Sequence, residues 1–173
     1  EFNTALLGEH NIVNLAGALA MSHLLGISLA KLKPQLLKIA AVPHRLQLTD
    51  HGKVAIIDDG FNSNPNGTKA ALQTLSLFDD YKIMITPGMV ELGEAQEKLN
   101  REFGENAAKV CDYIILVGEK QTKPIAEGLA EASYPQDKVY IANSLKDGLN
   151  HAYALQTDRK KIILLENDLP DNY

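Results

Sequence analysis

Five short apolar runs, at 54–57, 82–86, 113–117, 139–142 and 162–165, are separated by stretches of helical periodicity, and this alternation leaves few folds open. Strands spaced by helices of this length require crossover connections, so they assemble into a mostly parallel sheet with helices packed on its faces. The run 113–117 is apolar throughout, as a strand covered on both sides should be. The intervening segments carry matching stripes: Ala71, Leu75 and Phe78; Leu99, Phe103, Ala107 and Val110; Ile125, Leu129 and Ala132; Leu145, Leu149 and Ala152. Before the first run, residues 45–49 alternate with Leu46 and Leu48 on one face, and Asp50-His51-Gly52-Lys53 reads as the turn of a hairpin. The fold class is therefore α/β.

The first forty residues differ in kind. Ile12, Ala16, Leu19 and Ala20 recur at helical spacing over 11–25, and Gly26 is a natural stop. Ser28 is placed to cap a second helix over Leu29, Leu32, Leu36 and Ile39, in which Pro34 predicts a kink or a start delayed to about Lys33. Pro43 closes the pair, which puts a domain boundary near residues 41–44.

With 173 residues, 45% of them hydrophobic and 23% charged, the chain has the balance of a soluble globular protein. Its net charge of −5 and the lack of a Lys/Arg run argue against nucleic acid or an anionic membrane as a partner. No apolar stretch is long enough for a membrane span, and no signal-peptide pattern opens the chain. The lone Cys111 reads as a small buried thiol. These features favour the cytoplasm. Because the sequence opens at Glu1 in mid-pattern rather than at Met, it reads as a piece of a larger protein.

Four segments carry candidate chemistry. Asp58-Asp59-Gly60-Phe61-Asn62-Ser63-Asn64-Pro65 follows Val54-Ala55-Ile56-Ile57 directly, placing carboxylates and amides at a strand's carboxyl end, where open α/β sheets bind ligands. Asp59 can accept two ribose hydroxyls, or simply serve the turn. His10, Asn11 and Asn14 stand at the start of the first helix. The two Asn, three apart, either cap that helix or share a face that reads an adenine edge. Arg45 follows Pro-His at the domain junction, where a planar guanidinium can grip phosphate oxygens. Glu91 and Glu94, after Met89, lie on a loop leading into a helix, where acids also suit the helix dipole. A phosphate loop at Gly60 to Lys69 fails on spacing, with six residues between Gly60 and Gly67 and the order Thr68-Lys69. The five histidines are scattered, and no metal-ligand spacing is present.

Taken in order, Gly-Glu-His-Asn-Ile-Val-Asn-Leu-Ala, Pro-His-Arg-Leu, Ile-Asp-Asp-Gly-Phe-Asn-Ser-Asn-Pro and Met-Val-Glu-Leu-Gly-Glu resemble the Mur ligases, the ATP-dependent amide-forming enzymes of peptidoglycan synthesis. The Asp-x-Phe-Asn-x-Asn-Pro and Glu-Leu-Gly-Glu forms look most like the MurF type, which joins D-alanyl-D-alanine to UDP-N-acetylmuramoyl tripeptide. The resemblance implies that residues 1–42 are the last helices of a central ATP-binding domain and 43–173 a Rossmann-like C-terminal domain. It implies that Asn11 and Asn14 contact adenine and that Arg45 and Asp59 meet the phosphates and ribose of ATP. His10, Phe61, Asn62, Asn64 and Glu91 would line the nucleotide or acceptor cleft. Magnesium and the catalytic groups would come mainly from the central domain, leaving this chain inactive alone, and the whole enzyme is expected to be a monomer. The implied chemistry is phosphorylation of the substrate's terminal carboxylate to an acyl phosphate, followed by attack of the acceptor amine. Two segments depart from the type: Pro87-Gly88 stands where it has Gly-Asp, and Glu166-Asn167-Asp168 where it has Lys-Gly-Ser. Glu166 and Asp168 would then draw the acceptor's amine. Competing readings are another amino-acid ligase of the superfamily and a non-catalytic nucleotide-binding module.

Overall fold

The computed structural model describes residues 1–61 and 63–167. The two opening helices, α1 (Glu9–Leu24) and α2 (Leu29–Leu36), are followed by β1 (Gln47–Asp50), β2 (Val54–Asp59), α3 (Pro65–Ser76) and β3 (Tyr81–Thr86). Then come α4 (Gln96–Ala107), β4 (Tyr113–Val117), α5 (Glu119–Glu131), β5 (Val139–Ala142), α6 (Leu145–Ala154) and β6 (Lys161–Glu166). The six strands form one sheet in the order β1-β2-β6-β3-β4-β5. Only the β1–β2 hairpin is antiparallel; β2–β6, β6–β3, β3–β4 and β4–β5 are parallel.

Period-two alternation divides the core between the sheet's faces. Ala55, Ile57, Met84, Ile114, Leu116, Ile162 and Leu164 pack with Ala71, Leu75, Phe103, Ala107, Ile125 and Leu129 of α3, α4 and α5. Ile83, Ile85, Ile115 and Ile163 pack on the opposite face with Ala142 and Ala152, joined by Leu145 and Leu149 of α6. The helices thus flank both faces unequally, three against one. Helices α4 and α5 approach until only glycine fits. A Cβ on Gly128 would lie 2.1 Å from Arg101 O, and one on Gly104 2.3 Å from Ile125 O. Cys111 is buried and free, and burial pushes its thiol upward.

The expected hairpin turn is present, with Gly52 at φ 83 and its N–H on Asp50 Oδ1 at 2.8 Å. The expected face of β1 is not. Leu46 lies before the strand at φ 45 and is buried, whereas Leu48 is exposed. The left-handed turn at Leu46 redirects its side chain into the core, and a short edge strand cannot bury a second leucine on that side. The opening helices end as anticipated, with Gly26 at φ 82 and Ile27 N bonded to Ser22 O at 3.0 Å. Ser28 occupies the cap position of α2 without a side-chain cap bond, and Pro34 sits inside the helix instead of delaying its start. Helix α1 buries no residue; Ile12, Val13, Met21 and Leu24 are all exposed. No helix among the described residues is long and apolar enough to cross a membrane.

Candidate functional site

The carboxyl ends of β2, β6 and β3 lie side by side, and polar side chains gather there. The alternation that buries Ala55 and Ile57 carries Asp59 to the same face, next to its register partner Glu166 on β6. Asp59 Oδ1 accepts from Leu46 N at 3.0 Å, so one of its two oxygens is already engaged by the fold. Burial raises the Asp59 carboxyl above its ordinary value and the charge of Asp58 adds to this, while the Leu46 bond, His10 and Arg45 oppose it. His10, from the first turn of α1, is thereby brought to the site.

The left-handed backbone at His44 and Leu46 wraps the β1 approach around the end of β2. His44 O accepts from Phe61 N at 3.0 Å, and His44 Nδ1 meets Asp58 Oδ2 at 2.9 Å. Between them the Arg45 guanidinium lies 4.6 Å from the centre of the Phe61 ring, a cation–π stack on an exposed aromatic face. Arg45 and Phe61 are thus in contact, with His10 and Arg45 close enough for their charges to act on Asp59. The His44–Asp58 pair was missed; its signal was there in Pro-His-Arg and Asp-Asp.

Other candidates take different positions. Asn11 Nδ2 donates back to Leu7 O at 2.7 Å, so Asn11 braces the entry to α1 while Gly8 occupies the cap position. Asn14 is exposed one turn further along α1. Asn64 Oδ1 accepts from Asn66 N at 3.1 Å and Gly67 N at 3.0 Å, making it the cap of α3. Glu91 is exposed on the β3–α4 loop at φ 61. Asn62 and Asp168 lie outside the described residues.

The largest correction concerns Glu166. Expected as an acidic group open to the acceptor, it is 1% exposed. Its Oε1 accepts from Ser63 Oγ at 2.6 Å and its Oε2 from Thr86 Oγ1 at 3.5 Å. Burial, reinforced by the charge of Asp59, pushes its pKa from 4.5 to about 8 against the pull of the two hydroxyls. Burial therefore favours its neutral form over a bare charge. The strand alternation that buries Ile162 and Leu164 also buries Glu166, a signal already in the sequence.

The neighbouring Thr86-Pro87-Gly88-Met89 segment is buried as well. Gly88 is at φ 83, and a Cβ there would stand 2.9 Å from Asn100 Oδ1. Asn100 holds both polar groups of Met89, accepting from its N at 2.8 Å and donating to its O at 2.9 Å. The site thus offers a cation on an aromatic face, one partly buried carboxylate and a rigid polar wall. No three His, Cys, Asp or Glu side chains converge as metal donors among the described residues.

Comparison with known proteins places this geometry in context. The family model "Mur ligase, glutamate ligase domain" matches residues 44–166. The chain is 33% identical over 145 residues to the UDP-N-acetylmuramoyl-tripeptide–D-alanyl-D-alanine ligase of Escherichia coli, covering 82% of this chain and 31% of that protein. It is 26% identical over 158 residues to the UDP-N-acetylmuramoylalanine–D-glutamate ligase of Thermoanaerobacter sp., covering 91% and 33%. Among solved structures, the MurF ligase from Thermotoga maritima in complex with ADP superimposes with a TM-score of 0.74 at 20% identity, over 93% of this chain and 35% of that one. The chain spans about a third of the length of the curated relatives it matches.

Proposed function

From a chain that belongs to the Mur ligase family through its glutamate ligase domain, we propose the part of an ATP-dependent peptidoglycan-precursor ligase that closes over the nucleotide and presents the acceptor amine. The observation that carries this reading is the Arg45–Phe61 stack beside Asp59 and His10 at the sheet's carboxyl edge. Arg45 would pair with nucleotide phosphate oxygens, giving up its aromatic partner for a bidentate anion. The free oxygen of Asp59 would accept from a ribose hydroxyl. Asn11 and Asn14 would face the base from α1. ATP would supply the phosphoryl group that turns the substrate's carboxylate into an acyl phosphate, which an amine can attack because phosphate leaves in place of oxide. Magnesium would be held mainly by the central domain, and this chain's share would be binding, orienting and excluding water.

Residues 1–42 are proposed to belong to the central ATP-binding domain. The exposed Ile12, Val13, Met21, Leu24 and Leu25 give that segment an apolar surface that packing against the remainder of such a domain would cover. Residues 43–173 would form the C-terminal Rossmann-like domain. The substrates would be UDP-N-acetylmuramoyl tripeptide and D-alanyl-D-alanine, and the setting cytoplasmic. A D-glutamate-adding ligase is the competing reading, supported by a relative of lower identity.

The test is kinetic, in the full-length parent. Arg45→Ala and Asp59→Asn should each cost roughly 2–4 kcal/mol in kcat/KM for ATP. Asn is chosen at position 59 because it keeps an oxygen for Leu46 N, a bond that Ala would remove along with the charge. Turnover close to wild type in both variants would refute the nucleotide role.

A further inference from the structure

Glu166 and Asn167 have no part in the nucleotide reading, yet both are placed at a cost. Glu166 buries a carboxyl, and Asn167 holds the left-handed backbone at φ 64 that favours glycine. Their bonds run to two different loops. Glu166 takes Ser63 Oγ from the β2–α3 loop and Thr86 Oγ1 from the end of β3. Thr86 Oγ1 also accepts from Gly88 N at 3.0 Å, and Asn167 Nδ2 donates to Gly88 O at 2.7 Å. Both polar groups of Gly88 are therefore tied, one through Thr86 and one directly, to the end of β6. Asn167 N closes the set on Asp59 O at 3.2 Å.

We propose that Glu166 and Asn167 are positioning residues that lock the loop after β2 to the loop after β3 and so set the shape of the acceptor side of the cleft. The proposal rests on the ligase reading above for the identity of the ligand, though not for the clasp itself. The wall that these bonds fix orients an acceptor by shape and by backbone groups. An acceptor would feel loss of the side-chain ties to Ser63 and Gly88 through misplacement, while the backbone bonds Asn167 N to Asp59 O and Phe61 N to His44 O survive the substitutions and hold the Arg45–Phe61 side.

Asn167→Gly separates this role from simple stability, since glycine suits the backbone at φ 64 while the bond to Gly88 O is lost. In the full-length parent, Asn167→Gly and Glu166→Ala should raise KM for the dipeptide acceptor about tenfold, the scale of a modest misplacement, and leave KM for ATP within about twofold. Glu166→Gln, which keeps an oxygen for Ser63, should recover most of the loss. An acceptor KM within about twofold of wild type for both Asn167→Gly and Glu166→Ala overturns the proposal. If the parent uses a different amine, the dipeptide reading fails and the same comparison is made with that amine. If it ligates nothing, amide exchange in this chain decides. Gly88 exchanging about tenfold faster in Asn167→Gly, with β4 unchanged, supports the clasp, and unchanged Gly88 exchange overturns it.

Discussion

Replacing Glu166 by Gln should remove a pH dependence of stability that the fold itself creates. In the folded chain the carboxyl pKa is raised from 4.5 to about 8, so the folded state binds this proton more tightly than the unfolded state. The stabilisation is complete below the unfolded pKa of 4.5 and is lost as pH rises toward about 8. At roughly 1.4 kcal/mol per pH unit, a shift of that size is worth on the order of 5 kcal/mol. Local opening limits the loss, because the carboxyl needs only the Ser63 and Thr86 loops to part before it can ionise in water. A decline of about 2–4 kcal/mol between pH 5 and 9 is therefore expected from this group. Gln keeps the acceptor oxygen for Ser63 Oγ and has no proton to lose. Asp59, raised in the same direction by burial, is common to both proteins and drops out of the difference apart from its own interaction with Glu166. Urea unfolding at a series of pH values measures the effect. The wild-type curve should fall below that of Glu166→Gln as pH rises, and parallel curves would show that Glu166 is not held protonated.

The α4–α5 crossing gives a second expectation. Gly128→Ala should destabilise the chain by about 2–4 kcal/mol, since a Cβ placed 2.1 Å from Arg101 O forces the helices apart, and this outweighs the roughly 1 kcal/mol gained in helix propensity. Chemical denaturation of Gly128→Ala and Gly104→Ala checks it, and neutral variants would contradict the packing. Residues 1–173 alone should also release no phosphate from ATP above background, because their sequence holds no phosphate loop; sustained release by the purified protein would refute this.

Much of the architecture was legible because strand and helix patterns here are strong and agree with burial. The runs 113–117 and 139–142 coincide with β4 and β5, and the stripe through Phe103 and Ala107 faces the sheet as expected. What escaped the pattern was set by tertiary geometry. Leu46 reads as a strand residue, but a left-handed backbone turns it inward and sends its amide to Asp59. Asn64 reads as a cleft amide, yet the α3 amides ahead of it claim its oxygen. Glu166 looked like an exposed acid because its charge was weighed ahead of its strand phase. Residues 44, 45, 59 and 61 lie close in sequence to one hairpin, so local order was enough to bring them together. The Ser63–Glu166 bond spans more than a hundred positions, and no local motif encodes it.

We propose that this domain serves a ligase whose acceptor is a dipeptide. It is tested most directly by amide formation in the full-length parent with ATP and UDP-N-acetylmuramoyl tripeptide, offering D-alanyl-D-alanine, D-glutamate and a diamino acid in turn. Product should form with D-alanyl-D-alanine in clear preference to the other two. Preference for either single amino acid would contradict it.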